Sequence, residues 1–140
     1  MEENENVQLI KELFEAFGKG ELPKVLGMLS EQVEWKSPVT RVIHRDTVSW
    51  ASPRNSPGEV EQFFREIGEK MVLEPFQIHG YVLQGDTVVV EGSNRGKVRS
   101  TNRDYEHDWV MVFKVSDGRI QSCYHYYDTA DLETAFKTAE

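Results

Sequence analysis

The chain is predicted to be an α+β domain in which three N-terminal helices pack on a curved antiparallel sheet. Three observations carry this expectation. Apolar residues recur at three-four spacing in the first half, the period changes to two after Glu74-Pro75, and glycine-containing turns divide the second half into hairpins. Helices gathered before a run of strands make an α+β layer arrangement. At 140 residues the chain falls in the range of one domain, taken as 1–140 with its core over about 7–136. Hydrophobic residues make up 39% and aromatics 11%, enough for a packed interior. A chain of this length buries roughly two-thirds of its unfolded surface, so folding requires neither metal nor disulfide.

The first helix is read from Val7, Ile10, Phe14 and Phe17, flanked by Leu9 and Leu13, with Gly18 and Gly20 as its stop. Pro23 suits the first turn of a short second helix carrying Leu22, Val25, Leu26 and Leu29. A β segment over 33–35 follows and ends at Ser37-Pro38. Residues 39–56 have no clear period, yet Val42, Ile43, Val48 and Trp50 are too apolar for a free linker, so a loop or lid is expected there. Ser56 with Glu59 forms a capping box, Pro57 takes the first helical position, and the third helix shows a stripe of Val60, Phe63, Phe64, Ile67 and Met71. Residues 76–83 and 87–94 then form a hairpin about Gly85-Asp86, residues 95–106 a polar loop, and residues 107–115 and 119–128 a second hairpin about Asp117-Gly118. A closing helical turn begins at Thr129, capped by Asp128, with Leu132 and Phe136 as its contacts. Gly92, in mid-strand, marks a bend.

Composition excludes several classes of function. Acidic residues number 24 against 16 basic ones, a formal charge of −8, whereas binding a phosphate backbone rests on Lys and Arg contacts. One cysteine, Cys123, leaves no intramolecular disulfide and no Cys-rich zinc site. The four histidines show no short paired spacing of the kind that ligates a metal. No stretch approaches ~18 consecutive apolar residues, the length a membrane-spanning helix needs. The first six residues are acidic where a secretory signal is basic and then apolar, so a cytoplasmic location is expected. No cofactor is expected. Both parities of the later strands carry apolar residues, unlike a sheet with one free face, so a second copy covering the outer face, a homodimer, is expected.

The strings LFEAFGKGELPKVLGMLSEQVEW (13–35), SPGEVEQFFREIGE (56–69), QGDTVVVEG (84–92) and DGRIQSCYHYYDTADLETAF (117–136) resemble the nuclear-transport-factor-2-like superfamily, in its SnoaL-like, ketosteroid-isomerase-related branch. The resemblance spans about residues 7–136 and implies a cone-shaped domain whose curved sheet and helices enclose one deep pocket. That fold hosts isomerases, cyclases, epoxide hydrolases, dehydratases and non-catalytic binders, so it implies a kind of pocket rather than a reaction. Ketosteroid isomerases place their general base where this chain has Ser37, which cannot abstract a carbon-bound proton at neutral pH. Their oxyanion donors fall near Leu13 and near Met111 or Val112, so all three roles are vacant. Limonene-epoxide-hydrolase-like relatives use an Arg and two Asp where this chain has Gly92, Asn94 and His125. SnoaL-type cyclases carry an acid/base group on a late strand, and His125 is the titratable residue at such a position.

His125 is therefore the candidate acid/base, with Asn94 to orient it or polarise a carbonyl. The plainer reading is a core histidine bonded to Asn94 or a tyrosine. Facing depends on the Asp117-Gly118 turn. A two-residue turn sets Trp109, Met111 and Phe113 beside Tyr124 and Tyr126, whereas a three-residue turn with a glycine bulge sets them beside Cys123, His125 and Tyr127. The bulged form is preferred, and His107, Trp109 and His125 then line the pocket together. His107, between Glu106 and Asp108, would be a proton shuttle if paired to Asp, though an exposed strand start is the preferred reading. His79 depends on the Gly85 turn in the same way, and His44 is read as solvated. Phe17, Trp35, Trp50, Phe64 and Tyr127 are the expected pocket walls, with Met111. The function expected is binding of a small, largely apolar organic molecule in a single pocket. Cofactor-free isomerase, dehydratase or cyclase chemistry would accompany it. A non-catalytic binder and a dimeric interaction module are the alternatives.

Overall fold

The computed structural model describes residues 4–37 and 53–137, so the expectations for His44, Trp50 and the loop around them lie outside the described residues. Helix α1 spans Glu5–Gly18 and begins where Asn4 Oδ1 accepts the Asn6 N–H at 2.7 Å. Its three-four stripe buries Ile10, Leu13 and Phe14. Helix α2 (Leu22–Gly27) has its proline at the start of the first turn, and strand β1 (Leu29–Lys36) follows it directly. Helix α3 spans Pro57–Lys70. Ser56 Oγ accepts the Glu59 N–H at 3.2 Å, while the Glu59 carboxylate reaches back one residue further than expected, to the Asn55 N–H at 3.0 Å.

The remaining elements are β2 (Met71–Leu73), β3 (Gln77–Gln84), β4 (Thr87–Val98), β5 (Asp104–Ser116), β6 (Arg119–Tyr127) and α4 (Thr129–Phe136). The closing turn is thus a full helix, capped by Asp128, whose side chain accepts the Asp131 N–H at 3.0 Å. The polar loop expected over 95–106 is a correction: β4 continues to Val98 and β5 starts at Asp104. Arg95 and Lys97 alternate with the buried Gly96 and Val98, and β2 supplies a partner through Met71↔Val98 and Leu73↔Gly96. Strand order is β1-β6-β5-β4-β2, with β3 also on β4. The sheet is antiparallel except at one edge, where β1 runs parallel to β6. One edge of β4 therefore pairs first with β3, up to Ser93, and then with β2, from Gly96. Asn94 stands where the partner changes.

The helices close one face of this curled sheet, and the core lies between. Phe14 of α1 stacks on Trp109 of β5 (centroids 5.7 Å, planes 16° apart) and meets Phe113 edge-on. Full burial of a side chain of this size is worth about 1.5–3 kcal/mol.

The β5–β6 hairpin decides which residues face the core. Asp117 and Gly118 both have positive φ, 55° and 70°, and Ser116 pairs with Arg119 across them. This is the two-residue turn whose twist matches its strands, not the expected three-residue turn. The extra residue enters later: Val115 pairs with Ile120 but Lys114 with Ser122, so Gln121 forms a bulge. That one-residue shift pairs Trp109 with Tyr127, Met111 with His125 and Phe113 with Cys123. The facing is the preferred one, reached by a different device. A second register shift, between Ile78 and Gly80, turns His79 outward, where Nε2 lies 3.0 Å from Ser93 Oγ.

Candidate functional site

A cavity of about 580 Å³ lies between the helices and the concave sheet face. Its apolar walls come from α1 and α3. Phe17 packs edge-on against Phe64 at 4.9 Å, and Phe64 in turn against Trp35 of β1 at 5.7 Å. Phe14, Phe63 and Ile67 complete that side. Helical spacing brings these rings to one face, and small-molecule sites are built this way. Among the described residues the lining includes one carboxylate, Glu74, ion-paired with Arg95, and no lysine or arginine.

The polar side chains gather on β4, β5 and β6. His107 lies on β5 with a side chain only 6% exposed, and its Nδ1 is 3.0 Å from Asp131 Oδ2 of α4. The same carboxylate oxygen accepts the Glu106 N–H at 3.1 Å. A carboxylate has no hydrogen to give, so Nδ1 is the donor of this hydrogen bond. The imidazole is held on both faces, stacked on Tyr105 at 5.5 Å and on Tyr127 at 5.7 Å. Aspartate and aromatic neighbours thus hold the imidazole at the cavity wall.

His107 is not the exposed strand start of the preferred reading, because β5 begins three residues earlier, at Asp104. Nor is its partner Asp108, which pairs across to Ser93 and is exposed. Asp131 was missed by sequence reasoning. Its signal, an acidic residue in the first turn of the capped closing helix, reads as capping unless the docking of α4 on β5 is known.

His125, on β6, also lines the cavity, meeting Trp109 edge-on at 6.0 Å and Tyr127 at 4.8 Å. Part of the ring surface is accessible, yet Nε2 itself is buried and has no hydrogen-bond partner. It is therefore not the satisfied core histidine of the plainer reading. Burial, reinforced by neighbouring His107, pushes its pKa down from 6.5 to about 3. The ring is neutral at physiological pH. Asn94 lines the cavity with Oδ1 buried and unpartnered, and the Tyr105 hydroxyl is in the same condition, its pKa raised to about 12 mainly by burial.

Of the other expected site residues, Phe17, Trp35, Phe64, Trp109, Met111 and Tyr127 all line the cavity. Ser37 does too, at the position where a carboxylate would be needed. Cys123 is buried outside the lining, and burial pushes its thiol pKa up. Among the described residues no group of three His, Cys, Asp or Glu side chains is arranged to hold a metal ion. No helix among them is long and apolar enough to cross a membrane.

The profile of the SnoaL-like domain matches residues 10–123. The chain belongs to the SnoaL-like family. A nuclear-transport-factor-2-like protein from Burkholderia xenovorans LB400 is 30% identical to this SnoaL-like domain, covering 98% of this chain and 99% of that one with a TM-score of 0.81. A second such protein, of unknown function, from Burkholderia pseudomallei K96243 is 24% identical over 97% of this chain and 100% of its own, with a TM-score of 0.83. An LEH-like epoxide hydrolase from M. tuberculosis is 17% identical over 94% and 89% of the two chains, with a TM-score of 0.70. The last two likenesses show the fold alone. No curated protein sequence matches the chain.

Proposed function

We propose that this SnoaL-like domain binds a small, largely apolar organic molecule in its cavity and moves a proton on it by cofactor-free acid/base chemistry, an isomerisation, dehydration or cyclisation. One observation carries the reading: the His107–Asp131 pair presents an imidazole at an aromatic-lined cavity. His107 is the base and then the acid, since Nε2 takes a proton while Nδ1–H remains bonded to Asp131. Asp131 is a positioning residue. His125, the sequence-based choice of acid/base, is too weak a base for that role and serves as a neutral hydrogen-bonding group on the cavity lining.

The test uses a nitrobenzisoxazole, a flat neutral heteroaromatic whose ring opens when a base removes its carbon-bound proton. The full chain should open it faster than buffer does, with at least a hundredfold loss in His107→Ala, the scale of a general base. Asp131→Asn should lower kcat with little change in KM. Catalysis unaffected by His107→Ala would overturn the reading. Binding without turnover in the native chain would point instead to a carrier, which the vacancies at Ser37, Gly92 and Asn94 in the relatives' catalytic sets also favour.

We also propose a homodimer through the outer sheet face. Val82, Val89, Val112 and Tyr124 pair in one row across four strands, with Val110 and Tyr126 beside them. Val82 is 58% exposed and Tyr126 49%, and a contiguous apolar patch of this kind marks an association surface.

A further inference from the structure

Unpartnered polar atoms say more about the cavity's ligand than its aromatic walls do. Four of them, Asn94 Oδ1, His125 Nε2, the Tyr105 hydroxyl and the indole N–H of Trp35, belong to side chains on the lining, and each is buried with no hydrogen bond. A dry, unpaired polar atom is costly to keep, and a ligand that pairs it recovers the loss.

Asn94 owes its position to the two glycines flanking it on the same face of β4. A Cβ at Gly92 would lie 2.4 Å from Trp109 Cζ2, and one at Gly96 would lie 2.4 Å from the Tyr105 hydroxyl oxygen. The two rings therefore fill the places where β4 side chains would stand, and the Asn94 amide projects between them. Directly across the strand pair is His107. An amide oxygen only accepts hydrogen bonds, so what it lacks is a donor.

The charges around it narrow the choice. The described lining has no lysine or arginine, and its one carboxylate, Glu74, is engaged by Arg95. Burial keeps His125 neutral, so it offers no positive charge either. A carboxylate or phosphate brought into this cavity would lose its water and find no lysine or arginine among the described lining residues to offset the loss.

Building on the proposed ligand site, we infer that the cavity selects neutral, hydroxyl-bearing ring compounds, an alcohol, phenol or enol whose O–H donates to Asn94 Oδ1, and rejects the corresponding carboxylates. Tyr105 and His125 supply hydrogen-bonding atoms for the remaining polar edge of the ligand.

Calorimetric titration of the full chain at neutral pH with naphthol, its methyl ether and naphthoate tests this. All three share one ring system; the ether lacks the donor hydrogen and the naphthoate carries charge. Naphthol should bind about tenfold more tightly than either, the worth of one buried hydrogen bond. Asn94→Leu should bring naphthol down to the level of its ether. If the ether or the naphthoate binds the native chain as well as naphthol does, the selectivity is wrong while the ligand site stands. If none of the three binds, the site itself fails and the selectivity with it. The native-chain comparison decides the matter even if Asn94→Leu does not fold.

Discussion

Gly92→Ala is the sharpest structural test, because the space around Gly92 is closed on two sides. The new methyl would sit 2.4 Å from Trp109 Cζ2, 2.7 Å from Cη2 and 2.6 Å from the Gln77 carbonyl oxygen. Carbon–carbon contact is comfortable at about 3.5–4.0 Å, so something must move by more than about 1 Å. The Gln77 oxygen is main chain in β3, which pairs with β4 at Ser93, and cannot retreat without opening the ladder. Trp109 is 5% exposed and stacked on Phe14, so its retreat is into the cavity and off that ring. Overpacking of this kind costs about 1–3 kcal/mol, and the upper end applies when backbone is one of the obstacles. Gly68→Ala in α3 is the matched control: nothing lies within 4 Å of its Cβ, so helix propensity should leave it neutral or stabilised by up to about 1 kcal/mol. Urea unfolding followed by tryptophan fluorescence gives both values from the midpoints. The Gly92 variant should also bind naphthol more weakly, since the displaced indole takes up ligand space. A Gly92→Ala midpoint equal to the native one would refute the packing account of β4.

Acid stability follows from His125. Its folded pKa of about 3 lies below the ordinary 6.5, so between those values the unfolded chain takes up a proton that the fold refuses. Stability from this group is full above about 6.5 and declines as pH falls towards about 3, by a few kcal/mol at about 1.4 kcal/mol per unit. His125→Phe removes the proton site and should flatten this decline in urea titrations at stepped pH; an equally steep decline would show that another group causes it. For the outer face, Val82→Lys combined with Tyr126→Glu should convert a dimer to a monomer in analytical ultracentrifugation. A native chain that sediments as a monomer would end the dimer proposal.

The helices α1 and α3 follow from local rules. Three-four spacing of Ile10, Phe14 and Phe17, the Ser56 cap and Pro57 in the first turn require no knowledge of the rest of the molecule. The same is true of the Gly85 turn, of the place though not the type of the Asp117-Gly118 turn, and of the exclusions that charge and cysteine count impose. His125 and Asn94 were legible as candidates through the family resemblance, with their facing left to the turn that precedes β6. The Gln121 bulge was not, because an extra residue in a ladder is chosen by the fit of two strands and leaves no mark on either. The extension of β4 to Val98 depended on β2 arriving beside it, and the parallel pairing of β1 with β6 on the path of the chain through α2 and α3.

The proton-transfer pair divides the same way. Sequence determined that His107 stands on a strand and Asp131 in the first turn of a capped helix. Only the tertiary structure brought two residues 24 apart to within 3.0 Å and buried the imidazole between two tyrosines. Periodicity specifies which way a side chain faces on its own element. Which elements abut is settled by packing the whole core, and that distance-blind step is where chemistry between separate elements is made.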